Sequence, residues 1–216
     1  MITVNREISH DKRRLNVMFA VTSLTYGGAE TLLTNLIQRL DRDRFAPELC
    51  CIKIRGSLGE KLAKEIPTHA YGIRSKFDVR VLSWLTKLLR RRRVDAFVTV
   101  GAGDKRFWGR LAARRARVPV IVSALHTTGW PDAVGRLNSW LTPLNDAFVG
   151  VAQSHGKFLT EHERFPAEKV HVIPNGVDVN CFAPGERPVN LMRHIGIPPD
   201  APTAGIIARL DQVKNH

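Results

Sequence analysis

Cysteine is scarce in this chain, three in 216 residues, and none sits in a C-x-x-C or Cys/His spacing that would hold a metal. Cys50 and Cys51 fall inside a strand-like apolar run and Cys181 in a proline-punctuated stretch. The expectation is reduced thiols in a cytoplasmic setting rather than a disulfide framework. No window approaches the ~18 apolar residues of a membrane span. Residues 1–14 are polar and charged and lack the apolar stretch of a signal peptide. Internal repeats and low-complexity tracts are missing as well. Acidic residues are few, 20 against 33 Lys+Arg, for a net charge of +13.

With 44% hydrophobic and 25% charged residues, the composition is that of an ordinary globular chain with room for one domain and a fragment. Its positive excess favours phosphate-bearing partners, whether nucleic acid, anionic lipid or a phosphorylated small molecule. The cations cluster at Lys12, Arg13 and Arg14, at Arg90, Arg91, Arg92 and Arg93, at Lys105 and Arg106, and at Arg110, Arg114, Arg115 and Arg117. Solvated helix faces explain such clusters equally well.

Apolar runs alternate with helix-length periodic segments, the pattern of βα units around a mostly parallel sheet. Strands are expected at 16–22, 45–54, 68–72, 96–100, 119–124, 147–152 and 170–173. Helices are expected at 29–40, 58–65, 77–93, 105–117, 133–141 and 154–162. That order predicts an α/β fold, a Rossmann-like doubly wound sheet. Proline-punctuated residues 175–202 then read as a linker between a domain at 15–174, itself preceded by a polar extension at 1–14, and the start of a second domain at 203–216. Residues 203–208 read as that domain's opening buried strand.

Ligands of open parallel sheets bind beyond the carboxyl ends of the strands. After the first strand come Tyr26-Gly27-Gly28-Ala29-Glu30. Two glycines permit close backbone approach, and the following helix offers free N–H groups to a phosphate or hydroxyl-rich ligand; a tight turn needing positive φ would use the same residues. The dinucleotide pattern G-x-G-x-x-G is absent there, and the second strand ends Cys50-Cys51-Ile52-Lys53-Ile54 without an acidic ribose partner. Gly101-Ala102-Gly103 reads as a plain strand–helix loop. His126 follows the fifth strand and can both donate and accept a hydrogen bond in the cleft, although a lone histidine is often structural. Asn175 and Gly176 follow the last strand, where a simple turn or a hinge and cleft wall would suit them. Arg209 and Lys214, after residues 203–208, can converge on a diphosphate, one by a planar fork and one as a point charge.

Together these elements resemble family 4 glycosyltransferases of the GT-B architecture. The resemblance lies in Gly27-Gly28-Ala29-Glu30, in His126, in Ile173-Pro174-Asn175-Gly176-Val177-Asp178 with Phe182 and Pro184, and in Ala208-Arg209-Leu210 through Lys214. It implies a retaining transfer from a nucleotide-sugar donor to a saccharide or lipid-linked acceptor, without cofactor or obligatory metal. By position, Gly27, Gly28 and Glu30 would form the substrate-binding loop, with Gly28 near the donor phosphates. His126 would be the catalytic contact to the donor sugar, and Arg209 and Lys214 would neutralise the leaving diphosphate. The family's second-domain Glu-x7-Glu motif does not occur before the last residue, and Asn215 stands where many relatives have glycine. The chain is therefore expected to be an incomplete enzyme, inactive by itself.

The competing class is a non-catalytic basic module that binds nucleic acid or anionic membrane. Nucleic acid is the weaker partner, because Trp84 and Trp108 near the arginines do not make a stacking platform. Arg90, Arg91, Arg92 and Arg93 are expected to face an anionic membrane surface and bring the acceptor cleft to a lipid-linked substrate.

Overall fold

A computed structural model describes residues 13–75, 77–101, 104–126, 140–198 and 200–206. Among them, seven strands form one sheet: β1 (Leu15–Ser23), β2 (Phe45–Ile54), β3 (Thr68–Ala70), β4 (Ala96–Val100), β5 (Val120–Ala124), β6 (Ala147–Gly150) and β7 (Val170–Val172). All pairings are parallel. The strand order is β3-β2-β1-β4-β5-β6-β7. The chain thus winds outward from β1 in one direction and from β4 in the other, the doubly wound arrangement expected from the alternating pattern. Winding reverses between β1 and β4.

Among the described residues, five helices accompany the sheet: α1 (Gly28–Arg39), α2 (Gly56–Leu62), α3 (Arg80–Arg91), α4 (Asp104–Ala116) and α5 (Gln153–Glu161). Alternation along β1 sorts them onto two faces, since successive side chains point opposite ways. Val17, Phe19 and Val21 pack with Leu33 and Ile37 of α1 and Leu62 of α2. Met18 and Ala20 pack with Leu85 and Leu89 of α3 and with Ala112 and Ala113 of α4. A strand buried on both faces reads as a continuous apolar run, which is why β1 shows no alternation of polarity. Each fully buried large side chain on these faces contributes about 1.5–3 kcal/mol. Gly109 matters to the second face, because a Cβ there would lie 2.8 Å from Phe97 Cε1. Its hydrogen lets α4 settle closely on β4.

Several expected boundaries shift. The helix expected from residue 77 begins at Arg80. Asp78 occupies the preceding turn, accepting from the Arg80 backbone N–H and guanidinium. It ends before Arg93, whose φ of 48° turns the chain into β4. The strand expected at 203–208 is not seen in the residues described: 203–206 are exposed and belong to no strand. A strand draws its stability from the neighbours it pairs with, and no described segment pairs with this one. Residues 133–139 of another expected helix lie outside the described residues, as do Arg209 and Lys214.

Contacts divide the chain after Gly176. The smaller unit holds α6 (Val189–His194) and a turn in which Asp178 accepts from the Asn180 and Phe182 backbone N–H groups. No described helix is long and apolar enough to cross a membrane. All three cysteines are free. Burial pushes the Cys51 thiol up to about 12 and raises Cys50 as well, so both act as small apolar core residues.

Candidate functional site at the carboxyl edge of the sheet

The winding reversal leaves a crevice between the loops that follow β1 and β4. On one side, Gly27 ends the β1 loop and its carbonyl accepts from Thr31 N–H at 2.9 Å, the first bond of α1. Gly27 is extended, with φ −172°, and Gly28 has no positive φ. The positive-φ turn reading of this pair therefore fails. A Cβ on Gly27 would overlap the Glu30 carboxylate, and one on Gly28 would meet nothing within 4 Å. Glu30 thus folds back over Gly27, while the Gly28 side of the helix start lies open. On the other side, Gly101 does require a left-handed backbone, at φ 85°, and its N–H donates to the Ala124 carbonyl at 2.7 Å. This suits the plain strand–helix loop expected of Gly101-Ala102-Gly103, whose last two residues lie outside the described residues.

Between these loops lies a small pocket of about 120 Å³ lined by Thr22, Ser23, Glu30 and Gly101 among others. A larger cavity of about 380 Å³ adjoins it, sharing Leu33 and Val100. The larger one is apolar: Phe19, Val98, Val122 and Val149 give its floor on the α1 face of the sheet, and Leu33 and Leu36 one wall. His126, Asn175 and Gly176 stand at its margin. Polar residues lie at its rim and in the smaller pocket.

His126 is half-buried just past β5. Burial holds its imidazole below the ordinary 6.5, His155 lowers it further, and Glu30 opposes both. The histidine is therefore neutral near pH 7, with one ring nitrogen to donate and one to accept. That Glu30 acts on His126 places the α1 start and the end of β5 within electrostatic reach across the crevice. His155 was not among the residues the sequence singled out. It lies two residues into α5, is buried, and its Nδ1 accepts from Val151 N–H at 3.4 Å. Its position just after β6 was the available signal.

Asn175 and Gly176 are exposed and have no positive φ, so the left-handed turn reading does not apply. They line the cavity margin and end the larger unit. Arg209 and Lys214 fall outside the described residues.

The arginine-rich run behaves otherwise than expected. α3 runs antiparallel to the strands, so its last turn lies at their amino edge, where Asn16 Nδ2 donates to the Arg92 and Arg93 carbonyls at 3.1 and 3.2 Å. Arg92 Nη2 pairs with Glu48 at 2.7 Å, and Arg90 Nη2 donates to the Arg115 carbonyl at 2.7 Å. Among the described residues, the Arg91 and Arg93 side chains make no such bond, and both are exposed. The run therefore lies at the amino edge of the sheet, opposite the crevice. The neighbouring basic helix is also less of a surface than its sequence suggests. Arg110 is fully buried, with Nη1 donating to Asn145 Oδ1 at 3.3 Å, and Asn145 Nδ2 donates to Ser123 Oγ at 2.9 Å.

A sequence profile of Glycosyltransferase Family 4 matches residues 26–180. This chain belongs to glycosyltransferase family 4. It is 25% identical over 96% of its length to EpsF of Bacillus subtilis (strain 168), a protein named for an inferred glycosyltransferase activity, and covers 56% of it. It is 26% identical over 73% of its length to an Escherichia coli UDP-Gal:alpha-D-GlcNAc-diphosphoundecaprenol alpha-1,3-galactosyltransferase, covering 43% of that protein. The chain thus spans about half the length of the curated relatives it matches. Anabaena Alr3699/HepE, solved in complex with UDP and glucose, superimposes with a TM-score of 0.64 at 19% identity, over 85% of this chain and 50% of that one. Family and fold agree with the resemblance carried by the loop motifs.

Proposed function

We propose that the unit ending at Gly176 is the acceptor-side domain of a retaining glycosyltransferase that uses a nucleotide-sugar donor and a lipid-linked saccharide acceptor. The observation that carries this reading is the neutral His126 facing the Gly27–Glu30 helix start across the switch-point crevice. Sugar transfer breaks the bond between the anomeric carbon and the donor diphosphate and forms one to an acceptor hydroxyl. Positive charge develops on the sugar and negative charge on the leaving group, so the protein's main task is electrostatic. A neutral imidazole can hydrogen-bond a sugar hydroxyl without adding repulsion to a cationic sugar. The open N–H groups at the start of α1 suit an anionic or hydroxyl-rich group. Arg209 and Lys214 are proposed to neutralise the diphosphate, and Asn175-Gly176 to act as the hinge. An undecaprenyl-diphosphate sugar is the acceptor named for one relative, and that chemistry supports the lipid-linked class here.

The test is a transfer assay with a panel of nucleotide sugars and polyprenyl-diphosphate-linked saccharides, with the anomeric configuration of the product read by NMR. Transfer with retention is expected from the active protein. Inversion would remove the retaining mechanism, and hydrolysis or binding without transfer to any acceptor would remove the function.

A further inference from the structure

Tyr26 stands in the β1 loop just before Gly27 and is 62% exposed. A single exposed aromatic residue is ordinary, but this one is held at both ends. Two residues upstream, Leu24 N–H donates to the Arg55 carbonyl at 2.9 Å, and the Leu24 carbonyl accepts from Leu58 and Gly59 N–H at 3.0 and 3.1 Å. Those bonds fasten the loop to the start of α2. From the next turn of α2, Lys61 Nζ donates to the Tyr26 hydroxyl at 2.6 Å. Lys61 Nζ lies 5.3 Å from the ring centroid, close to the hydrogen-bond length plus the centre-to-oxygen length of a phenol. The ammonium therefore extends the long axis of the ring and covers neither face. Among the described residues, no other aromatic ring packs on Tyr26. Ordering two exposed side chains in this way costs conformational entropy and buries little in return. Geometry set in advance lowers the cost of binding a ligand instead.

We propose that Tyr26 is a platform for the sugar of the acceptor, its ring receiving the apolar face of a hexose while Lys61 holds it. A pyranose presents C–H groups on one face and hydroxyls around its edge. The face of an aromatic ring is the negative part of its quadrupole and attracts such C–H groups. Lys61 has two further N–H donors, which remain for the hydroxyls at the sugar's edge. A phosphate would engage the ammonium and leave the ring unused. Placement assigns the sugar to the acceptor. The bonds to α2 draw Tyr26 to the β2 side of β1, whereas His126 follows β5, on the other side. The ends of β1 and β5 are two strand spacings apart, roughly 10 Å, which leaves room for one sugar at each. With the donor sugar at His126, the hexose at Tyr26 is the acceptor's. That assignment rests on the proposed function; the sugar platform itself does not.

The chain has two tyrosines, and the second is an internal reference, since Tyr71 packs against Trp84 with ring centroids 5.1 Å apart. The experiment is an NMR titration of the 216-residue chain, carrying isotope-labelled tyrosine, with methyl hexopyranosides and in parallel with inorganic phosphate. Tyr26 ring signals are expected to move with a hexoside while those of Tyr71 hold. The C–H protons of the bound sugar are expected to shift upfield, as they do over an aromatic face. Tyr26→Ala is expected to abolish that upfield shift and weaken binding roughly tenfold. Tyr26→Phe and Lys61→Ala are each expected to keep the shift and weaken binding roughly threefold, because each frees the ring. In a form of the protein that transfers sugar, Tyr26→Ala is expected to raise the acceptor KM about tenfold and leave the donor KM within about twofold. Tyr26 signals that ignore every hexoside or move only with phosphate would overturn the platform, as would an upfield shift that survives Tyr26→Ala. A rise confined to the donor KM would overturn the assignment to the acceptor. Hexoside binding at Tyr26 in a protein that transfers nothing would leave the platform standing and remove the proposed reaction.

Discussion

The two edges of the sheet are built on opposite plans. At the amino edge, polar side chains satisfy one another. Glu48 receives Arg92 at 2.7 Å and His69 Nε2 at 2.9 Å. Asp95 takes the Asn16 backbone N–H at 2.8 Å and Arg13 at 2.7 Å, and Asp146 takes Ile121 N–H at 2.8 Å. At the carboxyl edge, Gly28 faces open space, Glu30 lies folded over a glycine, and His126 is half-buried in neutral form. The amino edge closes its strands on internal bonds, whereas the carboxyl edge keeps bonding capacity for something else. Stability and function should therefore respond to mutation at different ends of the same strands.

The largest separation is expected at His126. In a form of the protein that transfers sugar, His126→Ala should lower kcat about 100- to 1,000-fold, the range for removing one donor aimed at developing charge. KM should change little and Tm should hold, since the ring borders a cavity rather than filling the core. Steady-state kinetics with a melting curve checks this. A fall in Tm with kinetics intact would make His126 a structural histidine and erase the contrast between the edges.

The converse is expected at Glu48. Burial works against its charged form, but hydrogen bonds from His69 and then Arg92, with their charges, outweigh it and hold the carboxyl below its ordinary 4.5. A carboxyl depressed on folding stabilises the native state above the unfolded pKa, and that stabilisation fades as pH falls through the folded one. Glu48→Gln should therefore lower stability by about 2 kcal/mol at pH 7 and by progressively less below pH ~4.5. Urea unfolding across that range measures it. A stability loss equal at pH 3 and pH 7 would show that packing, not charge, is what the residue supplies.

Much of the fold is legible in the sequence. All seven expected strands up to 173 have counterparts, because parallel strands buried on both faces are continuous apolar runs that no polar alternation disguises. The placement of Gly27, Gly28, Glu30 and His126 just past strand ends was legible too, since the loop motifs follow the apolar runs directly. The fate of the arginines was not. Sequence places four cations in a row, but only tertiary packing reveals that Arg92 answers a glutamate on β2 and that Arg110 is buried against Asn145. Which edge a helix end faces depends on the winding of the whole sheet. Of the strand expected at 203–208, residues 203–206 are described and pair with no described segment.

The pH dependence of catalysis sharpens the contrast from the carboxyl edge. Burial first, and then His155, lowers the His126 imidazole below 6.5. If its neutral form is the working one, kcat/KM should be flat from pH 7 down to about 6.5 and fall tenfold per unit below the depressed value. Glu30→Gln removes the one influence that raises it, so the acid limb should move to still lower pH. A limb that moves upward, or does not move, would separate Glu30 from His126.

The smallest effect is expected at Gly28, and it has two signs. Gly28 opens α1 with no positive φ, and a Cβ there meets nothing within 4 Å. Gly28→Ala should therefore stabilise the fold by about 0.4–1 kcal/mol, because alanine restricts the unfolded chain and fits the native backbone. If the residue is glycine so that a ligand can reach the N–H groups of α1, the same methyl should raise KM for that ligand several-fold while kcat changes less. A higher Tm with an unchanged KM would leave the helix start without a ligand. A higher Tm with a raised KM would show that stability is withheld here to keep the edge open, the opposite of what Glu48 does at the other end of the sheet.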